Sequence, residues 1–472
     1  MTETRWRVLL ALIVVFTLAR IATTHRVFSQ TIDEASHLIA GYDILTKHDF
    51  TTDPHHPPLA KVLFALPFIT TPEPVAQGPI SRGTILLLRN DRYTQNLARA
   101  RMPNLLFVAI AIVGVALWAR HLFTPMAGLL AALIFASLPP VLAHGGLATT
   151  DMALTAMLIV ALYALTLLLE EATWPRAIAL GIAVAGGLLA KYSFPVYFPP
   201  CALVLIAVRL RFPFTKLLAA MGLALAITFI AIPPRDFLAG ISSVAAQAVS
   251  PPKGILFGEV RAGGWWYYFP VALFFKTPIP FLILAIAGLR RRLEIALLAA
   301  VILAIAMTSN INLGVRHVLP IYAPLAIAAA VAIRVRWLNA VLIVWLVIGS
   351  ALAHPDYLAW FNAFAGKEPH RILNDSNLDW GQDALRLVRL ARKEKIPSIT
   401  TSLGWSAPLD RIGLPPRKEL QALQPVHGWL AISELNIALD RDYSPEVRQW
   451  LDALLANRPY RRVGKSIRLY YM

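Results

Sequence analysis

The feature that most constrains this chain is a series of long apolar stretches separated by short charged loops. A helix that crosses a bilayer needs about 20 consecutive, mainly apolar residues. About eleven stretches approach this length, near 7–23, 103–119, 125–143, 152–169, 176–190, 195–209, 216–233, 267–288, 293–308, 318–334 and 337–353. They explain a composition that is 57% hydrophobic and only 15% charged. The sequence therefore predicts an all-α polytopic membrane protein and argues against an ordinary soluble enzyme.

The net charge of the chain fits a membrane better than a nucleic acid. Lys and Arg number 44 against 27 Asp and Glu, which gives a formal net charge of +17. Either an anionic bilayer surface or a nucleic acid would attract such a chain. Most of the surplus lies in short loops between apolar stretches, and no basic stripe with interleaved aromatic residues indicates a nucleic-acid groove. We expect a lipid bilayer as a partner and no nucleic acid.

Basic residues fall on alternate loops, and this alternation orients the predicted spans. The loops of one side carry Arg5, Arg7, Arg120, Arg176, Arg209, Arg211, Lys216, Arg290, Arg291, Arg292, Arg334 and Arg336. Under the positive-inside rule that side is cytoplasmic. An odd number of spans then leaves the loops 24–102, 144–151, 191–194, 234–266 and 309–317 outside, together with the C-terminal segment. The expected location is a bacterial cytoplasmic (inner) membrane, with a cytoplasmic N-terminus.

The composition becomes mixed and polar after about residue 353. Helical patterns cover 383–393 and 445–455, and strand patterns cover 398–402, 429–433 and 466–471. The alternation predicts a small extracytoplasmic (periplasmic) α/β domain over 354–472. The transmembrane domain then covers 1–353, and its first outer loop, 24–102, holds several unusual polar residues.

Three carboxylates on the predicted outer side are candidate catalytic groups, namely Asp33, Glu34 and Asp151. Adjacent carboxylates close to a bilayer are costly unless they are solvated, paired or used in chemistry. Acidic residues at a helix N-terminus are the simpler explanation for the first two, and a helix cap formed by Thr150 or Asp151 is the simpler explanation for the third. The same three carboxylates are the ligands we would name if a divalent cation is bound. No cofactor is required by the sequence.

Basic residues on the predicted outer side are exceptions to the positive-inside rule. The simplest reason for their presence is that they bind an anionic group. The candidates for binding a donor phosphate are Lys61, Lys191, Arg261 and Arg316. Lys61 lies in a short apolar run, 59–69, that is bounded by prolines and is expected to lie along the membrane interface; snorkelling is the alternative for any lysine there. The candidates for binding the substrate are His55, His56, Tyr192 and His317. His55 and His56 alone are weak evidence for a metal site.

Carboxylates and cations on one side of a membrane suit transfer of a sugar from a lipid phosphate. A carboxylate can accept the proton of the acceptor hydroxyl as a general base. The departing polyprenyl phosphate is a stable anion, so it needs electrostatic stabilisation rather than a general acid.

Several motifs together resemble the membrane glycosyltransferases of the protein O-mannosyltransferase and aminoarabinose transferase superfamily. They are Asp33-Glu34, His-Pro-Pro-Leu at 56–59, Arg-Met-Pro at 101–103, Leu-Ala-Thr-Thr-Asp at 147–151 and Gly-Leu-Leu-Ala-Lys-Tyr at 187–192. The resemblance covers roughly 1–353. It implies the GT-C fold and inverting transfer from a polyprenyl-phosphate-linked sugar on the outer side, with Asp33 as the base. It also implies that Asp151 shapes the site and that Lys61 and Lys191 contact phosphate.

Two departures leave the acceptor open among lipid, glycan and protein. His56 stands where aminoarabinose transferases tend to carry lysine, and the C-terminal domain lacks the β-trefoil character of eukaryotic protein mannosyltransferases. The segment 374–383 resembles a motif that follows the last span in many bacterial relatives. Its acids could bind a cation or cap a helix, although the spacing of an EF-hand loop is missing. Trp380 could stack on a sugar or pack the domain.

Two other functional classes are consistent with an apolar chain of this kind. A transporter or flippase for a lipid-linked or anionic substrate would place ionisable residues near the bilayer midplane and would show interrupted helices in repeated halves. A membrane assembly partner would explain the C-terminal domain but not the outer cluster of charges. Because the predicted spans are mostly free of charge, the sequence favours the transferase.

Overall fold

The structure is a computed structural model that describes residues 1–332, 336–404 and 407–472, without the side chain of Arg336. Arg334, one of the predicted loop cations, therefore lies outside the described residues. The α-helices, in chain order, are α1 Glu3–Ala22, α2 Ile32–Lys47, α3 Pro58–Ala65, α4 Pro79–Leu88, α5 Tyr93–Arg101, α6 Asn104–Leu122, α7 Pro125–Ala136, α8 Pro139–Gly145, α9 Asp151–Glu170, α10 Trp174–Ala190, α11 Phe194–Arg209, α12 Phe214–Ala231, α13 Pro234–Val249, α14 Tyr268–Lys276, α15 Ile279–Leu289, α16 Leu293–Met307, α17 Tyr322–Ala330, α18 Arg336–Leu352, α19 Ala384–Lys393, α20 Glu434–Tyr443 and α21 Pro445–Leu455. The strands are β1 Lys253–Leu256, β2 Glu259–Ala262, β3 Ile399–Ser402, β4 Arg417–Glu419, β5 Trp429–Ser433, β6 Arg461–Val463 and β7 Ile467–Tyr471.

Each predicted span coincides with a helix or a pair of helices, but few of these helices have the full length of a span. Within the described ranges, three helical segments are long and apolar enough to cross a bilayer: Tyr93–Leu122, Asp151–Glu170 and Phe214–Ala231. The number rises to five if each of two bent helix pairs is counted as one span. The mainly helical architecture is confirmed, and the count of eleven spans stays a prediction.

Prolines interrupt two of the predicted spans. The stretch 125–143 divides into α7 and α8, which meet at 68° before Pro139, and 267–288 divides into α14 and α15, which meet at 119° beside Pro278. Proline lacks the N–H that continues a helix, and its ring clashes with the preceding turn. Each of these two predicted spans is therefore a bent pair of helices rather than a single helix. The short helices α8 and α14 both contact the 3-10 turn Val315–Ile321.

The first outer loop is folded into helices that pack on one another. Thr31 and Glu34 form a capping box at the start of α2, which explains why a helix begins at that point. Gly41 lets α2 approach α3 closely, because a Cβ there would lie 1.9 Å from the carbonyl oxygen of Lys61. The predicted short helix over 59–69 is present as α3 and a following 3-10 turn.

The C-terminal part contains a five-stranded sheet with the order β4-β3-β5-β7-β6. Strand β3 pairs in parallel with β4 and β5, and β7 pairs antiparallel with β5 and β6. The predicted helices and strands of this region are confirmed as α19, α21, β3, β5 and β7. Sequence patterns missed α20, β4 and β6, because two of these are three-residue edge strands and the third directly follows a strand without a turn signal.

The segment between α18 and α19 packs against the helices of the membrane part. Tyr357, Leu373 and Trp380 belong to the same apolar core as those helices. The buried ammonium of Lys276, at the end of α14, donates to the carbonyl oxygens of Leu358 and Asn377, among others. The segment is thereby fixed beside the ends of the membrane helices. The domain boundary after residue 353 remains a prediction.

Candidate active site

A buried arginine joins two of the predicted catalytic carboxylates. Arg316 lies in a 3-10 turn, Val315–Ile321, and its Nη1 is 2.8 Å from Oδ2 of Asp33 and 3.9 Å from Oδ2 of Asp151. The guanidinium also lies 4.3 Å from the centroid of the Trp380 ring, a distance at which an aromatic face attracts a cation. Three residues far apart in sequence therefore converge on one side chain.

Lys191 pairs with Asp151 because their helices pack side by side in opposite directions. Asp151 is the first residue of α9, and Lys191 directly follows the last residue of α10. The Lys191 ammonium donates to Oδ1 of Asp151, whose side chain is only 1% exposed. The pair brings a second cation to within reach of the Arg316 site.

The segment after α18 adds a third carboxylate, Asp375, which the sequence did not identify as catalytic. The 3-10 turn Asp375–Asn377 is fixed to the arginine turn, because Val315 N–H donates to Oδ1 of Asn377 at 3.0 Å. Gly314 permits this contact, since a Cβ there would lie 2.2 Å from the hydroxyl oxygen of Ser376. Burial raises the pKa of Asp375 to about 6, against the opposing effect of Arg316. We call Asp33, Asp151, Lys191, Arg316 and Asp375 the arginine cluster.

Two histidines near the arginine cluster have imidazole nitrogens that are buried without a hydrogen-bond partner in the described residues. They are Nδ1 of His144 and Nε2 of His317. The His144 ring meets Trp380 edge to face, with ring centroids 6.2 Å apart. His317 was predicted as a substrate-binding residue, whereas His144 was missed, although it precedes the Gly-Gly turn in the sequence. Unpaired buried nitrogens are costly unless a ligand satisfies them.

The geometry favours a structural role for Glu34 over the catalytic role predicted for it. Its carboxylate accepts two hydrogen bonds from Arg101, each 2.7 Å long, one from Ala148 N–H and others from Thr31. Burial disfavours its charged form, but Arg101 and the backbone N–H groups of Ala148 and Thr31 together outweigh burial and lower the pKa of Glu34. A carboxylate with both oxygens occupied has no free lone pair for a substrate proton. Glu34 instead holds α2 against the turn that leads to Asp151.

The Asp53 carboxylate organises a second polar cluster, which reaches α2 at His37, one helical turn after Asp33. Nδ1 of His56 lies 3.2 Å from Asp53 and Nε2 of His37 lies 4.0 Å from it; these three residues form the histidine cluster. Lys61 is buried and donates to the Asp53 carbonyl oxygen at 2.7 Å. Burial lowers the pKa of His56 to about 4. Burial opposes the charge on Asp53, but contacts with His56 and Lys61 outweigh it and hold the pKa of Asp53 well below its usual range.

The remaining predicted residues lie outside these clusters or at their edge. Arg261 is exposed on the β1–β2 hairpin, and it has no ion pair within the part of the chain that the structure describes. Tyr192 packs on α13, where its ring lies 5.3 Å from that of Phe237. His55 is 42% exposed and lies 3.7 Å from Asp53. The structure thus does not bring Arg261 or Tyr192 to the arginine cluster, and it buries Lys61 rather than presenting it to lipid.

The side chains present do not fit a divalent cation. The three carboxylates named as ligands each pair with an arginine or lysine, which occupies the place that a cation would take. Among the described residues, the histidine cluster brings three potential ligand atoms within 4.8 Å of one another. The Lys61 ammonium, 3.7 Å from Oδ2 of Asp53, would repel a divalent ion there.

The central part of the sequence matches a known family. Residues 93–232 match the dolichyl-phosphate-mannose-protein mannosyltransferase family. The matched segment contains Arg101, Asp151 and Lys191. No curated protein matches this sequence.

Solved structures resemble the whole chain. The crystal structure of ArnT from Cupriavidus metallidurans bound to undecaprenyl phosphate aligns with a TM-score of 0.54 and 12% identity, over 99% of this chain and 98% of ArnT. Its apo state gives a TM-score of 0.55 and 14% identity over the same shares. The apo oligosaccharyltransferase of Archaeoglobus fulgidus aligns with a TM-score of 0.43 and 15% identity, over 86% of this chain and 64% of that one.

The ArnT alignment covers nearly the whole of both chains, so the likeness is one of complete architecture rather than of a single helical bundle. At 12–14% identity it establishes the fold. Together with the family match it confirms the predicted resemblance: this chain has the GT-C fold of the membrane glycosyltransferases, and its residues 93–232 carry the mannosyltransferase family pattern.

Proposed function

We propose that the chain is an integral membrane glycosyltransferase that moves a sugar from a polyprenyl-phosphate donor to an acceptor on the outer side of the cytoplasmic membrane. The observation that carries the proposal is a series of contacts from Asp33 to Arg316, from Arg316 to Asp151 and from Asp151 to Lys191. It places a partly exposed carboxylate beside one cation, with a second cation on the next carboxylate. The similar ArnT structure binds undecaprenyl phosphate, and this supports a polyprenyl phosphate as the leaving group.

Asp33 is the general base in this proposal. Its side chain is 28% exposed, whereas those of Glu34 and Asp151 are 1% exposed, so it is the one of the three that an acceptor hydroxyl can reach. Arg316 bonds to Oδ2 of Asp33, which leaves Oδ1 to accept the proton. The acceptor oxygen forms a bond to the anomeric carbon as the bond to phosphate breaks on the opposite face. The anomeric configuration is therefore inverted.

The leaving phosphate is stabilised by charge rather than by a proton donor. Arg316 and Lys191 supply positive charge, and the unpaired imidazoles of His144 and His317 can supply hydrogen bonds. When the donor phosphate binds, Arg316 donates hydrogen bonds to the phosphate and interacts less with Asp33. The Asp33 carboxylate then becomes a stronger base. Fixed charges aimed at a developing anion in a closed site are an effective form of catalysis.

A flippase is the main alternative, since α7–α8 and α14–α15 are interrupted helices of the kind that transporters use. The one lysine at such a break, Lys276, is held by three backbone carbonyl oxygens. A cation satisfied in this way serves as a fixed structural link rather than as a site that binds and releases an ion.

The test is release of polyprenyl phosphate by purified protein in liposomes that contain a panel of labelled polyprenyl-phosphate sugars and candidate acceptors. We expect release by the wild type and a rate lower by about 10²–10⁴-fold for Asp33→Asn, because the amide accepts the Arg316 hydrogen bond but not a proton. Asp91→Asn is the matched control, since Asp91 is an exposed acid of the same loop. Transfer of intact donor between leaflets without release would instead support the flippase.

A further inference from the structure

A cleft with a volume of about 570 Å³ lies where α18 ends and the chain enters its C-terminal part. Its lower wall is formed by apolar groups of α18, including Trp345, Leu346 and Leu352. Its upper rim carries Lys367, from the segment after α18, and Arg462 and Lys465, from the strand β6 and the turn that follows it. The cleft is therefore apolar on the helix side and basic on the side of the sheet.

Two of the three cations of the basic rim, both lysines, are not neutralised by neighbouring carboxylates in the part of the chain that the structure describes. Within the described part of the chain, Lys367 and Lys465 make no salt bridge, and Arg462 lies 3.8 Å from a Glu434 oxygen. Asp356, the one acid in the lining, is already bound by Arg386. Two unpaired ammonium groups at the end of a membrane helix attract an anionic head group.

A second depression continues from the cleft along α18. It is lined by Ala340, Val341, Val344, Trp345 and Ile348, and it shares Trp345 with the cleft above. From residue 340 to residue 352 an α-helix extends about 18 Å. The two depressions together offer a basic end and a continuous apolar track, which is the shape of a lipid head group and acyl chain.

The cleft is separate from the arginine cluster. Trp360 and Asn362 form part of its wall, and Lys276 binds the carbonyl oxygen of Trp360 on one side and that of Asn377 on the other. Asn377 in turn contacts the turn of Arg316. A tightly bonded layer of backbone therefore stands between the cleft and the candidate catalytic groups.

We propose that this cleft binds one anionic phospholipid of the leaflet that faces the C-terminal domain, with its phosphate at Lys367 and Lys465 and an acyl chain along α18. The lipid would fasten the sheet domain to the bilayer surface. The proposal requires α18 to lie in a membrane but does not depend on sugar transfer, so its failure would leave the transferase proposal unaffected.

Native mass spectrometry of the full chain, after exchange into micelles with equal phosphatidylglycerol and phosphatidylcholine, tests this inference. We expect phosphatidylglycerol to be retained about 25-fold more than phosphatidylcholine, and Lys367→Ala/Lys465→Ala to remove this preference, since each of the two lysines near a lipid surface contributes about fivefold. The control Lys393→Ala/Lys418→Ala removes two exposed lysines of the same domain and should keep it. Equal retention of both lipids by the wild type would overturn the proposal.

A second pair of variants tests the apolar part of the site. Gly349 lines the cleft, and a Cβ there would meet nothing within 4 Å, so Gly349→Leu adds an apolar side chain to the cleft wall without a clash at Cβ. We expect this variant to lose retained phosphatidylglycerol at least fivefold. Gly222→Leu adds the same side chain at an equally open position on α12 and should have no effect. Identical lipid retention by the two glycine variants would place the lipid elsewhere and contradict the proposal.

Discussion

At the scale of single residues, the arginine cluster has an unequal balance of charge. Three carboxylates, those of Asp33, Asp151 and Asp375, face two cations, Arg316 and Lys191. With all five groups ionised the cluster has a net charge of −1, which repels an anionic donor. A proton on Asp375 removes this excess, and burial gives Asp375 a pKa of about 6, close to neutral pH.

The charge of Asp375 should therefore govern donor binding. Between pH 5 and pH 7 the proton leaves Asp375, and the new negative charge competes with the donor phosphate for Arg316. We expect the KM for the donor to rise about tenfold over this range, as charges several ångströms apart in a partly buried site interact by roughly 1–2 kcal/mol. Asp375→Asn should keep the low KM at both pH values, whereas Asp91→Asn should behave like the wild type. A wild-type slope retained by Asp375→Asn would assign the titration to another group.

The pair Glu34 and Arg101 allows a structural role of Glu34 to be distinguished from a catalytic one. Both side chains are 1% exposed, and two hydrogen bonds join them. Removing one charge of such a pair leaves the other buried and unpaired, which costs about 3–5 kcal/mol. We expect Glu34→Gln to lower Tm in detergent markedly and Glu34→Gln/Arg101→Gln to recover part of the loss. A Glu34→Gln protein with wild-type Tm and no transferase activity would restore the catalytic assignment.

At the scale of elements, Asp379 connects the segment after α18 to helix α20. Its Oδ2 accepts the N–H of Leu435 at 2.9 Å, in the first turn of α20, where N–H groups lack helical partners. Burial raises the pKa of Asp379 to about 8, so the folded chain holds a proton there that the unfolded chain releases near pH 4. Stability then falls as pH rises from about 4 to about 8, by up to about 1.4 kcal/mol per pH unit.

Asp379→Asn should remove this dependence, because the amide oxygen still accepts the Leu435 hydrogen bond and no proton is lost. We expect the wild-type Tm to fall between pH 6 and pH 8 and the Tm of Asp379→Asn to change little. Asp452→Asn, an exposed acid of the same domain, serves as the control and should follow the wild type. Parallel curves for Asp379→Asn and the wild type would show that Asp379 ionises in the folded state without cost.

The elements also show how far local sequence patterns can go. The long apolar stretches predicted where the helices of the membrane part lie. Strand patterns predicted β3, β5 and β7, and helical patterns predicted α19 and α21. Arg316 was identified because it is a cation on the predicted outer side. Its partner Asp33 is 283 residues away in the sequence, and no local pattern encodes such a pairing. The place of Asp375 in the arginine cluster was not predicted for the same reason, since it depends on contacts with the turn of Arg316.

At the scale of the whole molecule, the arginine cluster and the sheet domain lie at the same end of the helices, so the topology determines where the reaction takes place. The single cysteine, Cys201, is buried, and Cys201→Ala provides a background for labelling. We expect Arg458→Cys to react with an impermeant maleimide in intact spheroplasts and Arg290→Cys to react only after lysis; both positions are exposed. The reverse pattern would place the C-terminal domain in the cytoplasm and contradict the proposed location.

The docking of the segment after α18 also has a consequence for synthesis of the protein. Asp375 and Trp380 are translated after every predicted span, yet Trp380 covers the guanidinium around which the site is built. A ribosome that stalls before this point leaves in the bilayer a bundle with an uncovered, incomplete pocket. Such an unfinished copy lacks the aromatic face over Arg316 and the carboxylate of Asp375, so the arginine cluster is completed only after the last predicted span has been made.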